Sequence, residues 1–279
     1  MRVGYLGPPG TFSEEAAREA TAGRDAELVP FGSIHETVLA VEEGAVDRAL
    51  VPVENSLEGG ISATLDALTW DARATVIVGE SVLAIRNCLI ARTALEPGAV
   101  AAVFSHPQPL AQCARFLRDQ LPGAGVRATA STADAVRTVA GSDEPWAALG
   151  PRAAAETYGC VVLREDVDDD AGNATRFVWL ARAGEAAEDR RDGVWKTSVV
   201  FAGAGDAQPG WLVRCLSEFA FRGVNLTRIE SRPLRGRLGH YLFHVDMEGR
   251  SGDPAVADAV AALGGHCEEV RVLGTYPAA

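Results

Sequence analysis

The sequence is short of lysine and of positive charge in general. Of its 26 lysine and arginine residues, Lys196 alone is lysine, and it opens a predicted domain rather than standing in a motif. A Schiff-base enzyme needs a lysine amine in its site, so this chemistry is disfavoured. The formal net charge of −12 argues against nucleic acid and anionic membrane surfaces as partners. An anionic substrate would need a locally positive pocket.

Long apolar runs and paired cysteines are lacking too. No run reaches the roughly 18 apolar residues of a membrane-spanning helix, and the start MRVGYLGPPG lacks a signal-peptide core. We therefore expect a cytoplasmic protein. Five cysteines are scattered without a C-x-x-C pair, which predicts neither a zinc site nor a disulfide framework. Walker A, G-x-S-x-G and H-E-x-x-H motifs are absent, and the short G-x-G at 203–205 lacks the rest of a dinucleotide fingerprint.

The order of predicted elements changes once along the chain. Residues 1–181 alternate short β-like runs with amphipathic helical patterns, which indicates α/β architecture with parallel sheets and ligands at the carboxyl ends of strands. Residues 182–194 are charged and without apolar periodicity, so we interpret them as a linker. Residues 195–279 read as strand, helix, strand, strand, helix and strand. This βαββαβ order predicts a ferredoxin-like domain.

Two motifs near the N-terminus each follow a predicted strand. In GPPGTFSEEAA, Thr11 and the glutamate three residues later fit a capping box, and the amides of Phe12 and Ser13 either begin a plain capped helix or face an anion. In VPVENSLEGG, Asn55 and Ser56 come just past a buried strand. They either line a cleft or cap the following helix.

Two later motifs repeat this arrangement. In FSHPQPLAQC, Ser105 ends a strand and Gln112 lies on the next helix, while the neighbouring histidine lacks an acidic partner and is interpreted as a turn residue. In NATRF, Thr175 and Arg176 point to alternate sides of a strand, so one of them faces a given cleft. The acidic run 165–170 before it is interpreted as a solvated loop.

Taken together and in order, these motifs resemble the prephenate dehydratase family over nearly the whole chain. The C-terminal domain, with NLTRIESRP, resembles an ACT domain. The resemblance implies a two-lobed α/β catalytic domain of the type 2 periplasmic-binding-protein kind over 1–181, followed by the linker 182–194 and the ACT domain 195–279. Lobe one would comprise about 1–76 and 160–181, and lobe two about 77–159. NATRF would then lie at the hinge and line the cleft.

The family converts prephenate to phenylpyruvate, carbon dioxide and water in phenylalanine biosynthesis, and it needs no cofactor or metal. By resemblance Thr175 is the catalytic hydrogen-bond donor. The residues implied in substrate binding are Thr11, Phe12, Ser13, Asn55, Ser56, Ser105, Gln112, Arg176 and Phe177. Two alternatives stay open: an arogenate dehydratase, and a non-catalytic small-molecule receptor with an amino-acid-sensing domain.

The ACT resemblance implies feedback by phenylalanine and a homodimer or homotetramer. The residues implied in effector binding are Gly210, Trp211, Leu212, Asn225, Glu230, Ser231, Arg232 and Pro233. The chain departs from the family at Trp211, where the family usually has alanine. Its indole would either fill part of the effector pocket or lie outward at the subunit interface.

Overall fold

The structure is a computed structural model that describes residues 1–185, 193–203, 208–236 and 238–279. The predicted linker and the G-x-G at 203–205 therefore lie partly outside the described residues. The chain forms two compact units. The first unit comprises Met1–Thr37, Leu50–Gly59 and Val82–Phe177. The second unit comprises Val38–Ala49, Gly60–Ser81 and Val178–Ala279.

The strands and helices follow the alternation predicted from the sequence. The strands are β1 Arg2–Leu6, β2 Glu27–Phe31, β3 Arg48–Asn55, β4 Gly59–Gly60, β5 Thr75–Ala84, β6 Cys88–Ala91, β7 Ala102–Ser105, β8 Gly125–Ala128, β9 Trp146–Gly150, β10 Val161–Arg164, β11 Ala174–Arg182, β12 Trp195–Ala202, β13 Leu226–Pro233, β14 Tyr241–Glu248 and β15 Glu269–Pro277. The α-helices are α1 Phe12–Ala20, α2 Ile34–Glu42, α3 Ser62–Asp66, α4 Pro107–Gln112, α5 Ala114–Gln120, α6 Thr132–Ala140, α7 Arg152–Tyr158, α8 Trp211–Ala220 and α9 Pro254–Leu263. Ala67–Asp71 extends α3 as a π-helical turn, and Pro97–Ala99 is a 3₁₀ turn.

Within the first unit, one sheet has the strand order β11-β3-β1-β2, with β1 and β2 parallel. The helix α1 returns over β1 and β2. Its start is capped as predicted, because the Thr11 hydroxyl accepts the amide of Glu14 at 3.4 Å. The Glu14 carboxylate accepts the amide of Gly10 at 2.5 Å rather than that of the cap residue. The Gly-Pro turn is therefore tied to the first turn of the helix.

The other sheet of the first unit has the order β10-β6-β9-β7-β8. β7 is parallel to β8 and β9, whereas β6 runs antiparallel to β9 and β10. Apolar side chains of α6 and α7 cover one face, with Ile90, Val136 and Ala148 at its centre. Residues from 160 onward were predicted to belong to lobe one. In the structure, β10 instead pairs with β6 in this second sheet. The chain joins the first sheet only at β11, and the predicted domain boundaries stay a prediction.

The acidic run 165–170 is a loop in which Glu165, Asp166 and Asp170 are exposed, as predicted, but Asp168 and Asp169 are not simply solvated. Asp168 accepts hydrogen bonds from the backbone and side-chain amides of Asn87, both at 2.6 Å. Asp169 accepts the backbone amides of Arg115 at 2.8 Å and Phe116 at 3.2 Å, which caps the start of α5. These carboxylates are held by N–H groups that would otherwise lack partners.

The C-terminal part of the second unit has the predicted βαββαβ order, β12-α8-β13-β14-α9-β15. Its strands are arranged β13-β14-β12-β15 and pair antiparallel, which is the ferredoxin-like topology. The helices α8 and α9 bury Phe201, Phe219 and Met247 against the sheet. On its other edge β15 pairs parallel with β5, where Gly274 lies opposite Ile77.

Within the described part of the chain, no helix is both long and apolar enough to cross a membrane. The same residues contain no cluster of three or more His, Cys, Asp or Glu side chains arranged to hold a metal ion.

Candidate active site

The polar side chains at the ends of β3 and β11 form one connected cluster. Asn55 is the last residue of β3, and its Nδ2 donates to Asn173 Oδ1 at 2.9 Å and to Thr175 Oγ1 at 3.0 Å. A third acceptor, the carbonyl of Ala174, lies at 3.2 Å. Asn55 and Thr175 are 6% and 8% exposed, so both reach the surface only slightly. Two of the residues predicted for substrate binding and catalysis are therefore in direct contact.

Gln112 extends the cluster from the end of α4. Its Oε1 accepts a hydrogen bond from Asn173 Nδ2 at 3.1 Å. Its Nε2 is buried and has no hydrogen-bond partner among the described residues. A buried N–H donor without a partner costs about 1–3 kcal/mol, which a ligand oxygen would recover. Gln112 is therefore poised to bind a ligand.

Ser56 lies beside the cluster and joins the end of β3 to the chain before β11. Its hydroxyl donates to the carbonyl of Gly172 at 3.1 Å and accepts the amide of Ala174 at 3.0 Å. The backbone amide of Ser56 donates to the carbonyl of Ala174 at 2.9 Å. This side chain is exposed and holds the backbone that carries Thr175 in register with Asn55.

The two residues after Thr175 point away from the cluster or into the core. Arg176 Nε donates to Glu54 Oε2 at 3.1 Å. Because side chains alternate along a strand, this pair lies on the face opposite Asn55 and Thr175. Phe177 is 1% exposed and belongs to the core. The predicted roles of Arg176 in holding a carboxylate and of Phe177 in shaping the pocket stay predictions.

The remaining predicted substrate residues are engaged in local structure. The buried hydroxyl of Ser105 donates to the carbonyl of Leu149 at 2.8 Å, which joins β7 to β9. Thr11 donates to the carbonyl of Leu6 at 3.1 Å in addition to capping α1, while Phe12 and Ser13 form the first turn of that helix. Among the described residues, no hydrogen bond joins the side chains of Thr11, Phe12, Ser13 or Ser105 to the Asn55 cluster.

One ionisable group of the first unit stands out on α1. Glu15 Oε2 is buried without a hydrogen-bond partner in the described part of the chain. Burial, followed by the nearby carboxylates of Glu19 and Glu156, raises the pKa of Glu15 from 4.5 to about 7. This carboxyl is therefore only partly ionised near neutral pH.

Comparison with known proteins gives the family. A sequence model described as "PDT: Prephenate dehydratase" matches residues 3–185. A prephenate dehydratase of Amycolatopsis methanolica is 40% identical over 275 residues, which cover 99% of this chain and 88% of that protein. The chain belongs to the prephenate dehydratase family. Arogenate dehydratase 5 of Arabidopsis thaliana is 37% identical, covering 99% of this chain and 67% of that protein.

Solved structures agree with the family assignment. A prephenate dehydratase of Arthrobacter aurescens in complex with L-Phe has a TM-score of 0.89 and 38% identity, over 99% of this chain and 90% of that chain. GqqA, described as a quorum-quenching acylase, has a TM-score of 0.88 and 30% identity, over 100% of this chain and 98% of that chain. The predicted fold class is confirmed, and the prephenate dehydratase family is one of decarboxylating carbon–oxygen lyases. A shared fold does not by itself select an activity.

Five of the eight residues that the prephenate dehydratase resemblance places at the effector site line two separate cavities of the second unit. Gly210, Trp211 and Leu212 line a cavity of about 240 Å³. Arg232 and Pro233 line another of about 480 Å³. Asn225 immediately precedes β13, and Glu230 and Ser231 lie on that strand with the two lining residues. Neither of these two cavities brings the two motifs together within the described residues of one chain.

Trp211 points inward, so the outward alternative is wrong. It is 4% exposed, and its ring lies 6.1 Å from that of Phe201 and 5.9 Å from that of Phe243. Its Nε1 donates to the carbonyl of His266 at 2.7 Å. The indole is thus part of the domain core and one wall of the smaller cavity.

Asn173, which joins Asn55 to Gln112 and is 2% exposed, was not predicted from the sequence. Within NATRF, only Thr175, Arg176 and Phe177 were predicted as site residues. The signal available was its place two residues before Thr175, because alternate residues of a strand share a face.

Proposed function

We propose that this chain converts prephenate to phenylpyruvate, carbon dioxide and water, with residues 1–181 as catalytic domain and 195–279 as regulatory domain. The observation that carries the proposal is the contact between Asn55 and Thr175 at the ends of neighbouring strands, beside the unpartnered Nε2 of Gln112. Membership of the prephenate dehydratase family supports the same conclusion.

The chemistry asks the protein to hold a dianion and to help a hydroxyl group leave. The bond between the ring and its carboxylate breaks, and that electron pair enters the ring. The bond to the ring hydroxyl breaks as the ring becomes aromatic, and the departing oxygen takes up one proton, ultimately from solvent, to leave as water. Thr175 donates its hydroxyl proton as a hydrogen bond to this oxygen. Removal of one such preorganised donor costs about 10²–10³ in kcat.

The substrate-binding roles follow from what each side chain offers. Gln112 supplies N–H groups to a carboxylate, and Asn55 and Ser56 form the edge of the site. The roles proposed for Thr11, Phe12, Ser13, Ser105, Arg176 and Phe177 rest on the family resemblance. Arg176 is the cation nearest in sequence to the catalytic residue, and a guanidinium holds carboxylates in bidentate fashion.

The test is phenylpyruvate formation from purified prephenate by the wild-type chain and two Thr175 variants. Thr175→Val keeps the branched shape and removes the hydroxyl, whereas Thr175→Ser keeps the hydroxyl and is the matched control. We expect Thr175→Val to lose about 10²–10³ in kcat and Thr175→Ser to lose much less. Near wild-type turnover by Thr175→Val would refute the catalytic assignment. No product from the wild type would favour a receptor without chemistry.

The similarity to an arogenate dehydratase favours a second substrate for the same site. Arogenate differs from prephenate by an amino group on the side chain. A ratio of kcat/KM for the two substrates, measured on one preparation, separates the two functions. A preference for prephenate supports the primary proposal, and a preference for arogenate replaces it.

Phenylalanine is the effector that we propose for the C-terminal domain. The relative from Arthrobacter aurescens was solved in complex with L-Phe, which supports this choice. The two predicted effector motifs line different cavities in the described part of one chain, which favours a ligand site completed by a second copy. A homodimer, or a homotetramer built from it, supplies that arrangement. Calorimetric titration with phenylalanine tests the effector, and light scattering tests the oligomer.

A route for this regulation lies inside the second unit. The segment 62–71, which follows Asn55 closely in the chain, is held by the ferredoxin-like sheet. Arg232 forms a bidentate pair with Asp66, with Nε–Oδ1 at 3.0 Å and Nη2–Oδ2 at 2.8 Å. Arg232 also belongs to the proposed effector motif. A ligand that engages this arginine would therefore compete with its contact to the segment.

A second contact to the same segment involves a neutral histidine. His244 Nε2 lies 3.1 Å from Thr69 Oγ1, and burial lowers the pKa of His244 to about 3. Because this histidine stays uncharged at physiological pH, the contact is a neutral hydrogen bond.

We place the enzyme in the cytoplasm, in keeping with a biosynthetic role.

A further inference from the structure

Backbone amides determine which way the side-chain amide of Asn55 faces. Its Oδ1 accepts the amides of Leu57 at 3.0 Å and Glu58 at 3.1 Å. A backbone N–H can only donate, so the atom that faces these two residues is the oxygen. The nitrogen consequently faces Asn173 and Thr175, and an amide nitrogen does not accept hydrogen bonds. The Thr175 hydroxyl is therefore the acceptor in its contact with Asn55.

The orientation of Asn55 in turn determines which way the side-chain amides of Asn173 and Gln112 face. Because Asn55 Nδ2 donates, the atom of Asn173 that faces it is Oδ1. The nitrogen of Asn173 then faces Gln112 and donates to its Oε1. The nitrogen of Gln112 must point away, and it is this Nε2 that is buried without a partner in the described chain. The orientations of all three side-chain amides therefore follow from the two backbone N–H groups that bind Asn55 Oδ1.

We propose that Asn173 is a positioning residue that orients Gln112 as a donor toward an anionic substrate. Because Asn173 and Asn55 are oriented in this way, Asn55 donates to the Thr175 hydroxyl, and the proton of that hydroxyl points to the leaving group. Among the described residues this hydroxyl contacts only a donor, Asn55 Nδ2, so none of them accepts that proton. The inference rests on the proposed function for the identity of the substrate. The orientation of the amides stands independently of it.

Asn173→Asp separates the two contacts of this side chain. The aspartate keeps an acceptor for Asn55 and replaces the donor to Gln112 with a carboxylate oxygen. Gln112 then turns its nitrogen to the carboxylate and presents its oxygen to the substrate. Loss of one hydrogen bond to a charged group corresponds to about a 10–100-fold effect. We therefore expect KM for prephenate to rise about 10–100-fold, with a much smaller change in kcat.

A double-mutant cycle with Gln112→Ala tests whether the effect passes through Gln112. If it does, Asn173→Asp has little further effect on kcat/KM in the Gln112→Ala background. An equal loss in both backgrounds would mean a general structural role or repulsion of the dianion by the new carboxylate, and it would overturn the inference. Thermal unfolding of each variant shows whether the change is confined to the site.

Neutron diffraction on deuterium-exchanged wild-type crystals gives a readout that needs neither variant nor turnover. We expect deuterons on the Asn55 atom that faces Thr175 and on the Gln112 atom that points away from Asn173. Deuterons on the Asn55 atom that faces the Leu57 amide would overturn the inference. Failure of the wild type to use prephenate would instead refute the proposed function, while the deuteron positions would still decide the orientation.

Discussion

Glu15 predicts a pH dependence of stability whose sign and size follow from its surroundings. Its pKa is raised from 4.5 to about 7, first by burial and then by Glu19 and Glu156. Between these two values the folded state binds more protons than the unfolded state. Stability attributable to this carboxyl is therefore greatest below pH 4.5 and falls as the pH rises toward 7.

The full shift corresponds to about 3 kcal/mol, at 1.36 kcal/mol for each pKa unit. Because Glu15 keeps partial contact with solvent, we expect about 1–2 kcal/mol of it to be realised. Glu15→Gln resembles the protonated side chain and removes this dependence. The variant should match the wild type near pH 4.5 and exceed it in Tm by about 2–6 °C at pH 8.

Thermal unfolding of the wild type, Glu15→Gln and Glu96→Gln at several pH values is the assay. Glu96 is exposed on the same unit and serves as the matched control for removal of one carboxylate. An advantage of Glu15→Gln that is equal at pH 4.5 and pH 8 would refute the reasoning. So would a variant that is less stable than the wild type at pH 8.

Three further outcomes are expected. Asp66→Asn should lower the phenylalanine concentration needed for half-maximal inhibition, as measured by dose–response curves, because it removes the carboxylate that competes with the ligand for Arg232. Asp169→Ala should cost about 1 kcal/mol in denaturant unfolding through loss of the α5 cap, while Asp169→Asn should cost less. Gly274→Ala should destabilise by about 3 kcal/mol or more, because its Cβ would overlap the carbonyl of Ile77 and force β5 and β15 apart; an unchanged unfolding midpoint would contradict this strand contact.

The fold could be predicted from the sequence because the signals for its helices and strands are local. Alternating apolar runs, the Thr11 cap and the glycines after helices each act over a few residues, and their order sufficed for the α/β and βαββαβ predictions. Asn55 was also within reach, since it ends a strand where parallel sheets place ligands, whereas Thr175 lies at the start of its strand. Their mutual contact joins residues 120 positions apart.

The site features that the sequence did not indicate depend on long-range contacts. They involve side chains whose residue type is compatible with several roles. Asn173 has partners 61 and 118 positions away, and nothing in its neighbours distinguishes a connecting amide from a surface one. The interpretation of the acidic run as solvated was wrong for Asp168 and Asp169 for the same reason. A carboxylate beside a predicted loop is usually solvated, and only the fold brings the start of α5 to Asp169.

The cluster at the ends of β3 and β11 is built from amides and a hydroxyl, none of which carries charge. A carboxylic acid with an ordinary pKa would be ionised at neutral pH and would repel a dianionic substrate. A carboxylic acid kept protonated there would need a strongly raised pKa and would lose its proton as the pH rises. Neutral donors avoid both problems and keep their orientation across the physiological pH range. Their weakness as acids is acceptable where aromatisation of the ring drives the departure of the hydroxyl, so that what the site must supply is placement of the donor.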